Sequence, residues 1–552
     1  MYFINIMNSS IQAITIKWIH YVFVFGCLLY GLYSVPIALF ETNLSMIPGD
    51  FGDARFNNYI LEHGYKYLTG HVTSYWDAPI MFPFKNTIAF SDNLLGTMPI
   101  YAAFRAINFD RETSFQLWII VLFALNYLSS FWVLNKWFKN IPLAITGAYI
   151  FAFGVFIIGQ MDHIQVFPRF IAPLVLYWFW NFLNEGKTRH FLLALLGIVF
   201  QFYCAVYLGF ILVFCLMFLT ISHCIIFGFK GFLIRTQIKN NYKRLALISA
   251  VSLGVFLPLI VPYIEISRVT GIRNFNELIS TISKPQSYFF THIGATTWKG
   301  ILSEHSKFAF NDWWFHFMFV GAIPWIGIII AIFILLKKPI HSNLTTLKTF
   351  FITLILCVLF TTNFYGFTLY KIIHSIPGFS SMRSIDRFIN IQSFLFILVF
   401  VAAANEIAKK NKSIGYLFYL LPFLSMYENK MEKWELKRFD KFQAQHEIQS
   451  VKNTMHFMYD KRAEAVAFMV TNNDLTKPSY HDKLIKDHLS IMIAAQDLNI
   501  TLVNAYTGHY PDHYMNYFDC MNEETLMEWL NAAGNNGHSV QRIYHPIGEM
   551  NE

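Results

Sequence analysis

Runs of about 20 apolar residues recur along this chain, each as long as a helix must be to cross a ~30 Å hydrocarbon core. Residues 16–40 (IKWIHYVFVFGCLLYGLYSVPIALF) and 313–336 (WWFHFMFVGAIPWIGIIIAIFILL) are the clearest examples. In lipid such runs must be helices, because only a helix satisfies its backbone polar groups within one segment. Composition points the same way. Of 552 residues 55% are hydrophobic, 58 are Phe, and only 14% are charged, against about 25% in soluble domains. The first run ends in Pro36-Ile37-Ala38-Leu39-Phe40-Glu41 with no small-x-small cleavage site, so it reads as an uncleaved span rather than a signal peptide.

The formal net charge of +8 does not indicate nucleic acid as a partner, because the cations sit in short loops between apolar runs. Five loops are basic: Lys136 and Lys139; Lys187 and Arg189; Lys230, Arg235, Lys239, Lys243 and Arg244; Lys337, Lys338 and Lys348; Lys409, Lys410 and Lys412. Placing all five in the cytoplasm requires an even number of crossings between consecutive loops. The expected spans are then 18–40, 113–135, 141–158, 166–184, two within 191–228, 245–264, 314–336, 349–366, 388–404 and 414–426, about 11 transmembrane helices in all. Residues 94–107 are short for a span and fit a half-membrane or interfacial helix.

This topology makes the N-terminus cytoplasmic and divides the chain into a transmembrane domain, 1–427, and an extracytoplasmic tail, 428–552. Substantial outward loops fall at 41–112, 265–312 and 367–387. In the tail, 428–460 reads as a charged helix, 463–470 and 500–506 as strands, and 483–498 and 523–533 as helices, a small α/β domain. The six cysteines show neither pairing nor metal-ligand spacing, so no disulfide framework is expected.

The residues suited to chemistry lie in the outward segments. Ile47-Pro48-Gly49-Asp50-Phe51-Gly52-Asp53-Ala54-Arg55 places two carboxylates three residues apart at a tight turn opening a helix-like stretch, 53–68. Asp50 or Asp53 suits an N-cap, a general base on an acceptor hydroxyl, or oxygen ligation of a divalent cation. Asp77 and Asp92, later in this loop, read as turn or cap residues. A second outward turn, Gly159-Gln160-Met161-Asp162-His163, offers a metal ligand, a partner for sugar hydroxyls or a cap. The third segment is Ile376-Pro377-Gly378-Phe379-Ser380-Ser381-Met382-Arg383-Ser384-Ile385-Asp386-Arg387-Phe388. Pro-Gly breaks the chain, Ser380 or Ser381 suits a helix cap, and Arg383 and Arg387 are four apart, as neighbours on one helix face are. They suit a phosphate clamp; an Arg383–Asp386 ion pair or snorkelling to lipid head groups is the structural alternative.

This layout resembles the GT-C superfamily of polytopic glycosyltransferases, in particular its bacterial membrane proteins. The stretches that carry the resemblance are 48–55, 82–96, 159–168, 377–388 and 503–511, within a layout covering most of residues 1–426. The resemblance implies a GT-C-like α-helical polytopic fold in a bacterial inner membrane and a polyprenyl-phosphate-linked sugar donor. The acceptor would be a glycan or lipid. Asp50 or Asp53 matches the first-loop catalytic acid, Asp162 the second-loop acidic residue, and Arg383 or Arg387 the donor-phosphate contact, with His163 beside Asp162 as a further substrate contact. A divalent cation (Mg or Mn) would sit on Asp50, Asp53 and Asp162, although the second turn reads Asp162-His163 where the family has an acidic pair. The expected reaction is a single displacement with inversion at the sugar carbon. A flippase or transporter, and a polymerase or ligase of lipid-linked glycans, are the alternatives.

Overall fold

The computed structural model describes residues 18–271, 273–303, 312–337, 344–376, 378–470, 479–534 and 539–545. Pro377, Lys338 and the first 17 residues lie outside them. The chain is mostly helical. Among the described residues seven helices are long and apolar enough to cross a membrane: Trp18–Phe40, Arg111–Phe138, Ile141–Ile158, Ile164–Glu185, Val206–Thr236, Ile238–Thr270 and Asp386–Lys410. Three shorter apolar helices accompany them, Thr188–Cys204, Ala322–Lys337 and Thr345–Phe360.

Local chemistry sets many of the boundaries. Asp110 accepts the Thr113 N–H (2.9 Å) and so caps the helix that opens at Arg111. Asn140 does the same for Leu143, with Pro142 in the first turn. Gly228, at φ 68°, splits Val206–Thr236 into two helical stretches. The helix Asp386–Lys410 is buried along its whole apolar window and forms the centre of the bundle. Two of its polar side chains are satisfied within the bundle: Gln392 donates to Thr361 Oγ1 (2.9 Å) and Asn390 to Gln160 Oε1 (3.2 Å).

Several expected boundaries are corrected. The span expected at 314–336 begins only at Ala322, whose N–H is taken by the buried Glu428 carboxylate; Trp313–Phe315 is a separate 3-10 turn. The 245–264 span is the middle of a 33-residue helix, Ile238–Thr270. At 1.5 Å per residue that helix is about 50 Å long, well beyond a ~30 Å core. The 349–366 span ends at Phe360 and is followed by a small hairpin, Asn363–Phe364 with Phe367–Thr368. The 414–426 run divides into Lys412–Leu417, Phe418–Leu420 and Leu421–Glu428, with Pro422 opening the last piece. Within 94–107 only Met98–Ala106 is helical, nine residues.

The 428–460 segment is not one helix. It holds a 3-10 turn, the strand Arg438–Asp440 and the helix Lys441–Met458. Further on, Ala465–Val470 pairs in parallel with Val540–His545, and bridges on its other side to Leu502, the one residue of the expected 500–506 strand that forms a bridge. Ser479–Leu498, Tyr514–Cys520 and Glu523–Ala532 supply the helices.

This C-terminal region is stitched to the 41–112 loop. Met46–Pro48 pairs antiparallel with Arg438–Asp440, Ile47 opposite Phe439. The Leu502 N–H donates to Pro79 O (3.0 Å) and the Phe82 N–H to Leu502 O (2.9 Å). Arg55, buried in the helix Asp53–Leu68, donates to Ser490 Oγ (3.1 Å), and Trp529 Nε1–H to Phe82 O (3.0 Å). All six cysteines are free.

Candidate active site

The turn before the Asp53–Leu68 helix is built by glycine. Gly49 has φ 96°, a region costly for side chains, and a Cβ at Gly52 would lie 2.9 Å from the Tyr506 hydroxyl. Asp50 Oδ1 accepts the N–H groups of Gly52 (3.0 Å) and Asp53 (2.8 Å), closing the turn and capping the helix. Its Oδ2 has no hydrogen-bond partner among the described residues. Burial, then the charges of Asp53 and Asp162, pushes the Asp50 carboxyl up to about 6, against the opposing pull of His163 and Lys437.

Asp53 is held from three sides. Tyr506 donates its hydroxyl to Oδ1 (3.1 Å), while His163 Nδ1 (2.9 Å) and Gln165 Nε2 (3.1 Å) reach Oδ2. Burial works to raise its pKa. The hydrogen bond and charge of His163, the charge of Arg387 and the Gln165 amide outweigh burial and hold the carboxyl well below the usual carboxylate range. Asp53 is therefore ionised and acceptor-only, so His163 Nδ1 carries the proton of that bond. Tyr506 is pushed upward by burial and then by the two carboxylates, and stays a donor.

These groups open onto a cavity of about 1280 Å³ that also receives Asp92, Asp162, Arg273, Arg383 and Arg387. Ligand pockets usually measure about 300–1,000 Å³, so there is room for more than one small substrate. Asp162 pairs with Lys437 across 3.2 Å. The Arg387 guanidinium lies 4.7 Å over the Tyr207 ring, buried, and its Nε has no hydrogen-bond partner among the described residues. The Arg383 backbone N–H donates to the same Tyr207 hydroxyl (2.6 Å), while its side chain is exposed. Arg273 donates to Gly508 O (3.3 Å) and lies 3.8 Å from Glu277. Burial, then the charges of Arg273 and Arg383, lowers His509 to about 4, so it is neutral at pH 7.

The fold has a counterpart among solved structures. The crystal structure of the Archaeoglobus fulgidus oligosaccharyltransferase in the apo form superposes with a TM-score of 0.51 at 12% identity, over 94% of this chain and 69% of that one. This protein is similar in fold to an oligosaccharyltransferase. The Archaeoglobus fulgidus oligosaccharyltransferase in complex with Zn and sulfate matches with a TM-score of 0.44 and 11% identity, over 88% of this chain and 62% of that one. No family model matches the sequence, and no curated protein matches it.

Within this oligosaccharyltransferase-like fold, the six residues singled out from the sequence, Asp50, Asp53, Asp162, His163, Arg383 and Arg387, all line the one cavity. Their local settings differ from expectation. Arg383 and Arg387 do not share a helix face: Arg383 lies in irregular chain, Arg387 in the 3-10 turn Asp386–Phe388, and regular helix starts at Ile389. Ser380 and Ser381 belong to another 3-10 turn and cap no helix. Asp386 receives Gln160 Nε2 (3.4 Å), not Arg383. Asp92 caps the Val206–Thr236 helix through the Val206 N–H (2.6 Å), and Asp77 accepts from Asn86 N (2.7 Å).

Sequence reasoning missed Arg273, Tyr506 and His509 as parts of the site. The last two lie in the 503–511 stretch already noted as family-like, whereas nothing local to Arg273 marks it. Of the three donors expected to hold a cation, Asp50 keeps one uncommitted oxygen and the other two are engaged by the protein. Both Asp53 oxygens are bonded by protein groups, Asp162 is paired with Lys437, and among the described residues no three His, Cys, Asp or Glu side chains form a metal-binding group.

Proposed function

We propose that this protein is a membrane glycosyltransferase that moves a sugar from a polyprenyl-phosphate donor to an acceptor hydroxyl on the extracytoplasmic face, with inversion. The observation that carries this reading is the cavity itself. A carboxylate with an uncommitted oxygen, Asp50, and three arginines, Arg273, Arg383 and Arg387, line one space. An acceptor hydroxyl gives its proton to Asp50 Oδ2 as its oxygen bonds to the anomeric carbon. The bond from that carbon to the phosphate oxygen breaks, and the lipid phosphate leaves with the electron pair. Charge grows on the leaving phosphate, where guanidinium groups stabilise it. Asp53 holds His163 and Tyr506 around the base.

The apolar side of the cavity supports a lipid donor. Phe202, Phe210, Phe256 and Ile260 come from the helices Thr188–Cys204, Val206–Thr236 and Ile238–Thr270, and fit a polyprenyl chain entering from the bilayer. Counting the three shorter apolar helices and the broken 412–428 run with the seven long ones gives eleven crossings. The N-terminus is then cytoplasmic, and 428–552 forms an extracytoplasmic α/β domain in a bacterial inner membrane. The acceptor is a glycan or lipid.

Purified protein in proteoliposomes, given donor labelled in the sugar, is expected to release polyprenyl phosphate and label an acceptor, and Arg387→Ala to abolish both. Movement of intact donor across the bilayer without cleavage would overturn the reading in favour of a flippase. A product carrying a block of sugars would favour a polymerase.

A further inference from the structure

One stretch of the cavity wall comes from the segment just before the Ala322–Lys337 helix. Trp313 and Trp314 line it while 36% and 49% exposed, their ring centroids 5.7 Å apart at 81°. They are fixed from behind. Trp313 packs on Phe317 (5.7 Å), which stacks on Phe290 (5.5 Å, 6°) and meets His292 edge-on (5.0 Å). Phe317 in turn abuts Gly159, where a Cβ would lie 2.4 Å from the phenylalanine Cβ. Gly159 is three residues before Asp162, so the aromatic wall runs directly into the Asp162–Lys437 pair. His292 and Glu435 line the same cavity, and His292 is lowered to about 4, first by burial, so it is neutral at pH 7.

Exposed indoles beside fixed donors and acceptors suit few ligand classes. A lipid chain needs a wall without charges, such as Phe202, Phe210, Phe256 and Ile260 offer. A peptide usually adds to a free strand edge. The backbone here is already paired: Ala295 bridges to Met431, the Glu432 N–H donates to Gly294 O (2.8 Å) and the Thr296 N–H to Lys430 O (3.1 Å). A pyranose ring has an apolar C–H face and a rim of hydroxyls, which match an indole face and a mixed polar rim. We propose that this end of the cavity is a saccharide subsite, in which one acceptor sugar lays its C–H face on one of the two indoles, meets the other at its edge, and bonds its hydroxyls to Asp162, His292 and Lys437. The inference rests on the transferase reading above and makes the acceptor a glycan.

The test uses the full chain in nanodiscs, probed with an array of neutral tri- and tetrasaccharides of glucose, galactose, mannose and N-acetylglucosamine beside an array of Ser-, Thr- and Asn-bearing peptides. Wild type is expected to retain saccharides. The double variant Trp313→Ala/Trp314→Ala should weaken that binding about tenfold or more, a loss in the range of two aromatic contacts. Trp313→Phe/Trp314→Phe should restore it to within about threefold, with all three proteins eluting alike. Retention of peptides alone, of no saccharide by wild type, or of saccharides equally by the double alanine variant would overturn the inference. Sugar transfer is measured in parallel: transfer to a peptide overturns the subsite and keeps the transferase. Saccharide binding without transfer to any acceptor keeps the subsite and overturns the transferase.

Discussion

Tyr506 donates its hydroxyl to Asp53 Oδ1 over 3.1 Å, between residues 453 positions apart in the chain. The C-terminal region thereby supplies one of the three bonds that fix the most tightly held carboxylate in the cavity. Tyr506→Phe keeps the ring, which packs edge-on to Phe56 (5.6 Å), and deletes the bond. A hydrogen bond to a charged group contributes about 1.5–3 kcal/mol. The variant should lose roughly tenfold in transfer rate, read with labelled donor, and its C-terminal region should be cleaved faster in limited proteolysis.

The two first-loop carboxylates should separate by substitution. Asp50→Asn keeps the oxygen that caps Gly52 and Asp53 but removes the base, and should lower the rate by about 10²–10⁴. Asp50→Ala should do the same and also destabilise the protein by about 1 kcal/mol through the lost cap. Asp53→Asn should lower the rate and reduce His163 order, seen as a shifted imidazole NMR signal. Wild-type rates in Asp50→Asn would return the role of base to Asp53.

If the transferase reading holds, acid should switch transfer off in a window set by Asp50. A base must be ionised, so the rate should climb with pH through about 6 and level off above it. Stability moves the other way for this group. Its folded pKa is raised above the unfolded carboxylate value, so the folded state holds the proton more tightly. That contribution is complete below pH ~4 and is lost as pH rises through about 6. Asp50→Asn should therefore stabilise the protein by about 1–3 kcal/mol at pH 8 and by almost nothing at pH 4, in paired thermal melts. Asp53 has the opposite sign: its contribution is present above pH ~4 and lost as pH falls through its depressed folded value.

The arginines should divide by burial. Arg387 is buried with an unpartnered Nε, and lysine cannot reproduce its planar fork, so Arg387→Lys should cost at least tenfold in kcat/KM. Arg383→Ala and Arg273→Ala should mainly raise the donor KM. The three effects should shrink together for a donor analogue whose phosphate is replaced by a neutral group.

The bundle was legible because lipid leaves an apolar run few options: the runs around 18–40, 141–158 and 388–404 each contain a helix near the expected bounds. Boundaries were missed where a distant residue sets them. The helix at Ala322 starts where Glu428 meets it, and no pattern in 313–336 announces that. The carboxylates and Arg387 were legible as charges in segments that interrupt apolar runs. Tyr506 and His509 were not, because what brings them to the site is pairing between the 41–112 loop and the C-terminal region, and Arg273, in the 265–312 segment, was not because its partner is the distant Gly508 carbonyl, relations local sequence does not contain.

The antiparallel pairing of Met46–Pro48 with Arg438–Asp440 also orders events in time. At about 5–20 residues per second, the ribosome finishes Tyr506 roughly 20–90 s after Asp53 has been made. The edge at Ile47 waits for Phe439 and Asp53 for Tyr506, so a nascent chain can be helical before either contact forms. A chain released before Tyr506 would carry its charged residues without the hydroxyl that holds Asp53.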